Sequence, residues 1–465
     1  MVTASFPTWP DGAVRDFTGM LPVRPPIAKT PDEPVSQRLI AMWPHPDRSG
    51  GISQLQFSPD KKSLFGSSYP GGIVQKWDLA TGKQTLRIDT VSGLRASSQT
   101  ANFSGDGKRL YVSFTKQEVK TVEKEGKRLN RFIFNSEIRV WDAGTGKPLD
   151  PLRHEPPGYI VHLQMLPDGK QAMVMEEPPG DYLGRPPREA WIVNLEGNRW
   201  TKLPKEITPF GAFSPDGNVY CAPVTDESNY VRKLAWYSVP GFKLIKDLPI
   251  EGAAPSGGSG VFSADGRLFA TLIQQFPKPN QYDTFTSELL LVEVAGGRII
   301  GRWSPKDAGS NYGPYAFSPD AKTLAFVNGS PPRGTQMHPP ICLYLADLAT
   351  GKIRQEVQLE GNEPGSYTQA FPLVFNSDGT LLAVASRRIP LELAKVRDSA
   401  KTEDYPQGRI HVIEVATGRV VEKMTNTHCG VISMLFSPDG LTLYAGGFGK
   451  GLVFDLSGLP TIRAK

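Results

Sequence analysis

Residues 213–217 read "FSPDG", and seven other segments repeat this phrase with an aspartate three residues after an apolar residue. Alternating apolar residues precede each phrase, and a β-rich run such as "RLYVSF" (109–114) follows it. Because Asp and Gly accept the backbone that tight hairpin turns require, each phrase predicts a strand, a turn and a second strand. We interpret the repeated aspartates as structural turn formers: Asp60, Asp106, Asp168, Asp216, Asp265, Asp320, Asp378 and Asp439.

A second phrase follows each first one, as in "WDLATGK" (77–83), "WDAGTGK" (141–147) and "IEVATGR" (413–419). Its pattern indicates the end of a third strand, a Gly-containing turn and the start of a fourth strand. Four antiparallel strands in a unit of about fifty residues are typical of a propeller blade. The sequence therefore predicts an all-β protein built as a β-propeller.

The segment "FSPDKKSLFGSSYPGGIVQKWDLATGK" (57–83) resembles a WD40 repeat, with Trp77 and Asp78 as the Trp-Asp pair. The resemblance covers roughly residues 37–458. It implies a buried group made of a His before the first strand, a Ser or Thr in the second, an Asp after it and a Trp in the third. The group is incomplete in each of the first three units. The first unit offers His45, Ser67 or Ser68, and Trp77. The second has Trp141 without a His, and the third has His154 but Val193 where the Trp belongs.

Only the units with Trp77 and Trp141 contain a Trp-Asp pair, so we expect the blades to depend mainly on apolar packing between neighbours. Eight units are countable, and the last lacks a fourth strand. Residues 37–43, "QRLIAMW", precede the first unit and are predicted to pair with "GLVFDL" (451–456), closing a ring of eight blades. Closure removes the unpaired edge of an open array. Seven blades are the alternative, if the third unit is not a full blade.

The domain prediction is a Pro-rich extension at 1–36, a propeller at 37–458 and a tail at 459–465. The extension is either a tether or a segment packed on the ring through Phe6, Trp9 and Phe17. Length varies most between the second and third strands, and these connections share one face with those between blades. The Asp-Gly turns lie on the opposite face. Binding generally uses variable loops on a rigid scaffold, so the face with the long loops is the predicted binding face.

The longest of these connections are residues 115–136, predicted as a long basic hairpin, and 387–408, predicted to include a short helix. Aromatic residues, Met and Arg are enriched at protein interfaces. Such residues, together with the basic ones, give the candidate partner-binding set: Arg131, Phe132, Tyr182, Arg185, Tyr282, Phe285, Arg333, Met337, Arg387 and Arg388. The alternative is that each packs within its own loop.

Composition excludes few functions. The net charge of +5 comes from 52 basic and 47 acidic residues spread along the chain, which predicts no nucleic-acid partner. Cys221, Cys342 and Cys429 have no metal-site or disulfide spacing. We expect no membrane span, because no run approaches 18 apolar residues. The N-terminus does not resemble a signal peptide, so we expect a cytoplasmic protein unless a signal or anchor has been removed.

No catalytic, cofactor or metal-binding motif was found in the sequence. The favoured hypothesis is a non-enzymatic, monomeric interaction scaffold that binds a protein or peptide through the face with the long loops. No cofactor or metal is expected. The alternative is a propeller that binds or hydrolyses a small molecule in its central funnel, since "RLYVSF" with "IRVWDAGTGKPL" (138–149) also resembles repeats of lactonase-like and periplasmic propellers.

Overall fold

A computed structural model gives the structure of the protein. It describes residues 37–44, 51–69, 73–89, 95–124, 127–155, 158–178, 180–182, 188–207, 211–225, 231–255, 260–275, 286–304, 312–328, 340–360, 366–390, 408–425, 430–447 and 450–459. All helical or extended secondary structure within these ranges is β-strand, so the all-β prediction is confirmed. Residues 1–36, the predicted extension, and His45 lie outside the described residues.

The strands form eight antiparallel blades of four strands each. The first strand is β1 (Leu39–Pro44). Blade 1 contains β2 (Gly51–Phe57), β3 (Ser63–Tyr69), β4 (Ile73–Asp78) and β5 (Gln84–Asp89). Blade 2 contains β6 (Arg95–Phe103), β7 (Arg109–Lys124), β8 (Lys127–Asp142) and β9 (Pro148–Leu152). Blade 3 contains β10 (Tyr159–Met165), β11 (Gln171–Glu177), β13 (Glu189–Asn194) and β14 (Arg199–Lys202), and a short strand, β12 (Gly180–Tyr182), precedes β13.

The remaining blades follow in chain order. Blade 4 contains β15 (Ala212–Phe213), β16 (Val219–Thr225), β17 (Val231–Ser238) and β18 (Leu244–Pro255). Blade 5 contains β19 (Val261–Phe262), β20 (Leu268–Gln275), β21 (Thr286–Glu293) and β22 (Arg298–Trp303). Blade 6 contains β23 (Tyr312–Phe317), β24 (Thr323–Asn328), β25 (Ile341–Asp347) and β26 (Lys352–Glu360). Blade 7 contains β27 (Ser366–Phe375), β28 (Leu381–Pro390), β29 (Gly408–Glu414) and β30 (Val420–Met424), and blade 8 contains β31 (Val431–Phe436), β32 (Thr442–Gly447) and β33 (Lys450–Asp455) with β1.

The ring closes between the two ends of the propeller, as predicted. β1 pairs antiparallel with β33, with Leu39 opposite Phe454, and supplies the fourth strand of blade 8. The amide of Asp455 donates a 2.8 Å hydrogen bond to the carbonyl of Arg38. Arg38 Nε also lies 3.0 Å from Glu422 Oε2 in blade 7. The third unit is a full blade, so the prediction of eight blades is confirmed over the seven-blade alternative.

The repeated phrase forms a tight turn between the first two strands of each blade. In blade 1, Ser58 Oγ donates a 2.5 Å hydrogen bond to Asp60 Oδ1, which also accepts the amide of Lys62 at 3.1 Å. The residue after the aspartate has positive φ and is Gly in six of the blades. It is Lys61 in blade 1 and Ala321 in blade 6, with φ of 57° and 54°. These two residues adopt a left-handed backbone conformation that normally favours Gly.

Apolar side chains from neighbouring blades form the cores. Trp77 packs with Ile52 and Leu64 of its own blade and with Tyr444 and Val453 of blade 8. Trp141 lies between blades 1 and 2, in a cluster that includes Phe65, Phe103 and Phe114. Full burial of each such side chain contributes roughly 1.5–3 kcal/mol. The cohesion of the ring therefore comes largely from packing between blades.

Polar contacts across several interfaces add to this packing. Lys76 Nζ of blade 1 donates to the carbonyl of Ala143 in blade 2 at 3.2 Å. Lys246 Nζ of blade 4 donates to the carbonyl of Ala295 in blade 5 at 2.8 Å, and an Arg354 nitrogen of blade 6 donates to the carbonyl of Val415 in blade 7 at 2.9 Å. Each acceptor follows the third strand of the next blade, so one type of contact ties successive blades together.

Blades 4 and 5 depart from the regular pattern by sharing one sheet. β18 continues past blade 4, and its residues 253–255 pair with β20 of blade 5. The short β19 pairs with the same strand further along. The innermost strand of blade 5 is therefore split into two pieces, and the first of them is continuous with the outer strand of blade 4.

Candidate functional site

The long connection of blade 2 is a two-stranded hairpin that projects from the face with the long loops. β7 and β8 have 16 residues each, whereas β3 and β4 of blade 1 have seven and six. They pair in unbroken register from Arg109 opposite Asp142 to Lys124 opposite Lys127. At a rise of about 3.3 Å per residue, the extra length carries the hairpin about 30 Å beyond the neighbouring strands. The sequence prediction of a long hairpin at 115–136 is confirmed.

A strand from blade 3 supports this hairpin. β12 pairs antiparallel with β8, with Gly180 opposite Phe132 and Tyr182 opposite Asn130. The chain leaves blade 3 at the end of β11 and lies against blade 2 within three residues. Three of the candidate partner-binding residues, Arg131, Phe132 and Tyr182, are thereby brought onto adjacent strands. Residues 116–134 and β12, together with the buried pair described next, form what we call the blade 2–3 corner.

A histidine and a glutamate form the buried pair at the base of the corner. His154 lies in the connection from β9 to β10, and Glu176 lies near the end of β11. His154 Nδ1 is 3.1 Å from Glu176 Oε2, and the Glu176 side chain is only 4% exposed. The imidazole ring also packs on Trp191, with a centroid distance of 4.1 Å, and on Trp200 at 5.1 Å.

Burial sets the protonation of this pair. Loss of solvation, with a smaller contribution from the nearby charge of Glu189, raises the pKa of Glu176 to about 7. Burial lowers the pKa of His154 below its ordinary value, because it disfavours the imidazolium form. Lys202 Nζ lies 2.7 Å from Glu189 Oε1 and 5.6 Å from the Trp191 ring centroid. The base of the corner therefore contains a carboxyl group that changes charge near neutral pH.

Further contacts connect the base of the corner to blade 2. The Asn198 side-chain oxygen accepts Trp200 Nε1 at 2.9 Å and the backbone amide of Arg153 at 3.2 Å. The Arg153 side chain bonds Glu137 Oε2 at 2.8 Å, and Arg139 Nε bonds Glu137 Oε1 at 2.6 Å. Burial opposes ionisation of Glu137, but these arginines outweigh it and lower its pKa. Blades 2 and 3 are thus joined by hydrogen bonds as well as by apolar packing.

Two other predicted site residues belong to blade 7 and not to the corner. Arg387 and Arg388 lie in β28, opposite Gln369 and Thr368 of β27. Residues 387–390, which begin the second long connection, are strand, and the rest of the predicted helical stretch lies outside the described residues. The same is true of five candidates: Arg185, Tyr282, Phe285, Arg333 and Met337.

Sequence reasoning missed two residues of the corner. The WD40 resemblance places Val193 at the position of the aromatic partner of His154, but Trp191, two residues earlier in β13, packs on the imidazole. Residues two apart in a strand share a face, so the tryptophan in "EAWIVN" (189–194) was a usable signal. Glu176 took the place of the expected Ser or Thr. A carboxylate late in a second strand, preceded by "QAMVM", was the available signal for it.

Clefts also occur on the opposite face, between the Asp-Gly turns of neighbouring blades. Among the described residues, one such cleft has a volume of about 550 Å³ and lies between blades 2 and 3, where Tyr111 and Leu195 line it beside Lys170. Those between blades 1 and 2 and between blades 3 and 4 are smaller, at about 320 and 330 Å³. The ranges that the structure describes contain no group of three or more His, Cys, Asp or Glu residues placed to share a metal ion. They also contain no helix with the length and hydropathy of a membrane span.

Comparison of the fold with solved structures gives matches over most of the chain. The C-terminal WD40 domain of Sif2 aligns with a TM-score of 0.54 and 12% identity, covering 88% of this chain and 97% of that domain. The chain is an eight-bladed β-propeller whose fold is similar to that of a WD40 domain. The computationally designed protein Ika8 aligns with this propeller at a TM-score of 0.55 and 14% identity, covering 90% of this chain and all of that one.

The propeller also resembles part of the dihydro-heme d1 dehydrogenase NirN, with a TM-score of 0.51 and 13% identity. The alignment covers 81% of this chain but only 66% of that protein. No protein-family model matches the sequence, and no curated protein matches it. At these identities the matches show that the fold is shared and nothing more.

Proposed function

We propose that this propeller is a non-enzymatic interaction module, which binds a protein or peptide partner through the blade 2–3 corner. The observation that carries the proposal is the hairpin of β7 and β8, which extends beyond a ring whose other described hairpins are shorter. A projecting strand pair exposes much surface and adds little to the core of its own blade. Its support by β12 favours a rigid arm, and a rigid arm loses less conformational entropy when it binds.

Two further observations favour this face. The candidate residues Arg131, Phe132 and Tyr182 occupy adjacent strands of the corner, and aromatic and arginine residues are frequent binding hot spots. The corner is also tied to the ring by the contacts of Asn198 and Glu137, so its base is rigid. Sites on rigid elements hold their geometry better than sites on isolated loops.

The test is crosslinking capture from the native host with the full chain and two variants. In the first variant, an Asn-Gly turn replaces residues 117–134 and joins Lys116 to Asn135, which are directly opposite in the register. The matched control is Lys108→Glu with Lys322→Glu, two exposed lysines on the opposite face. We expect proteins captured by the wild type to be retained by the control and lost by the shortened hairpin.

Equal capture by the shortened variant would contradict binding at the corner. The interaction hypothesis as a whole fails if nothing is enriched over an unrelated propeller while small metabolites raise the melting temperature of this one. Melting curves of both variants show whether the ring is intact, so loss of folding is distinguishable from loss of binding.

A further inference from the structure

The outer edge of the projecting hairpin is an open strand edge. β6 pairs with β7 only as far as Arg95 opposite Thr115. From residue 116 to residue 124, the edge of β7 that faces away from β8 has no paired strand in the part of the chain that the structure describes. Open edges present backbone donors and acceptors that can pair with another chain.

Charge along this hairpin is unbalanced. Residues 116–134 contain six basic and three acidic residues, a net charge of +3 in 19 residues, whereas the whole chain carries +5. The register places Lys120 opposite Arg131 and Lys124 opposite Lys127. Like charges directly across an antiparallel pair are destabilising. The hairpin therefore keeps two unfavourable pairs that its own fold does not require.

Both strands contribute to the excess charge: residues 116–124 of β7 contain three lysines and two glutamates, and residues 127–134 of β8 contain three basic residues and no acidic one. Asp181 of β12 lies opposite Arg131 and supplies an acidic neighbour on that side. Lys116, Lys120 and Lys124 lie four residues apart on the open strand, and residues separated by an even number share a face of a strand. Lys120 is exposed. The edge thus combines open backbone positions with three lysines, and Glu118 lies between the first two of them on the same face.

We propose that an acidic segment of a partner protein adds a strand to the edge of β7 over residues 116–124. Carboxylates at every fourth position of that segment would lie across from Lys116, Lys120 and Lys124. Backbone pairing supplies affinity in this mode of recognition, and the alternate side chains supply specificity. The inference rests on the proposed function and identifies the chemistry of the partner.

The competing explanation is that these lysines protect the open edge, because lysines on edge strands also prevent unwanted strand pairing. That explanation accounts for single lysines on the edge. It does not account for Arg131 of β8, which lies between β7 and β12 rather than on an open edge. An anionic segment bound beside the hairpin would reduce the electrostatic repulsion within both like-charged pairs.

The experiment measures binding of a dodecameric glutamate peptide to the full chain by fluorescence anisotropy. The charge variant is Lys116→Gln, Lys120→Gln and Lys124→Gln, which removes the charges but keeps the three side chains long and polar. The matched control is Glu118→Gln with Glu123→Gln on the same strand. We expect the charge variant to lose about tenfold in affinity, while the control binds as tightly as the wild type or more tightly. Wild-type affinity should fall steeply with added salt.

Three outcomes would overturn the proposal. They are unchanged peptide binding in the charge variant, stronger binding of a dodecameric oligothymidylate than of the peptide, and no peptide binding by the wild type while the charge variant self-associates. The last outcome assigns the lysines to edge protection. If the shortened hairpin loses its captured proteins but the charge variant keeps them, the proposed function stands and this inference fails.

Discussion

The amide of Gly105 in blade 2 donates a 3.1 Å hydrogen bond to the carbonyl of Gly169 in blade 3. The two Asp-Gly turns meet here through backbone atoms alone. Gly105 is the only Gly at a position that is Pro, Ala or Ser in the other repeated phrases, and Pro has no amide hydrogen to donate. A Cβ on Gly169 would lie 2.1 Å from the Gly105 nitrogen. Both glycines are required by this close approach.

Substitution of Gly169 by Ala is therefore expected to destabilise the ring by about 3 kcal/mol or more, because a steric clash adds to the cost of a positive φ. Gly266→Ala is the matched control. Gly266 has φ of 70°, and the nearest atom to its Cβ position is Pro215 Cδ at an ordinary 3.6 Å. The control should cost only about 1 kcal/mol. Denaturant midpoints of the two variants measure the difference, and equal midpoints would contradict the role of the backbone contact.

Lys61→Gly is expected to stabilise the protein by about 0.5–1 kcal/mol, because Lys61 has φ of 57° and Gly removes the steric cost of that conformation. Lys62→Gly, one residue later, is the control, and it should destabilise because it only adds freedom to the unfolded chain. Thermal melting compares the two variants. A lower melting temperature for Lys61→Gly than for the wild type would show that its side chain contributes more than its backbone costs.

Glu176→Gln tests the buried pair through pH. The pKa of Glu176 is raised from an ordinary 4.5 to about 7, so the folded state favours its protonated form. The contribution of Glu176 to the free energy of unfolding is therefore complete below about pH 4.5. It falls by at most about 3 kcal/mol as the pH rises through about 7. The variant lacks this titration. We expect its melting temperature relative to the wild type to increase between about pH 5 and about pH 8.

Glu177→Gln is the control for that experiment, since Glu177 is the next residue of β11 and pairs with Arg188 on a more exposed surface. Its melting curves over the same pH range show the effect of losing a neighbouring carboxylate that is less buried. His154 bonds Glu176 directly, so the difference between Glu176→Gln and the wild type reports the titration of the pair. Parallel pH profiles for Glu176→Gln and the wild type would mean that Glu176 is ionised in the folded protein.

Leu39→Ala tests the closure of the ring. Leu39 is buried at the junction of blades 7 and 8, and removing its side chain should cost about 2–4 kcal/mol. Ile353→Ala is the control, because Ile353 is 42% exposed on an outer strand. Denaturant unfolding should show a clear loss for the first variant and little change for the second. Equal unfolding midpoints would mean that β1 contributes little to the stability of the ring.

The sequence predicted the fold well because the information lies in short-range chemistry repeated eight times. Each repeated phrase specifies its own turn around an aspartate, and the closing role of residues 37–43 followed from the fourth strand missing in the last unit. The path of β18 into blade 5 was not predictable. It depends on pairing with β20 across an irregular connection, and no local pattern specifies that pairing.

The candidate site was predicted only in part. The long hairpin followed from length and composition, but the pairing of β12 with β8 joins two blades and leaves no trace in either segment alone. Glu176 was missed because its significance depends on burial and on the distance to His154, 22 residues away. The WD40 resemblance implies an aromatic partner at the position of Val193, whereas the imidazole packs on Trp191.

The closure of blade 8 has a consequence for synthesis of the protein in the cell. β1 is the first strand of the propeller to leave the ribosome, and its partner β33 is the last. Blades 1 to 7 can assemble on the nascent chain, but β1 must wait unpaired until residues 450–455 have emerged. For most of the time of translation the first strand is therefore a candidate for chaperone binding, and any chain cut short before β33 keeps that strand permanently unpaired.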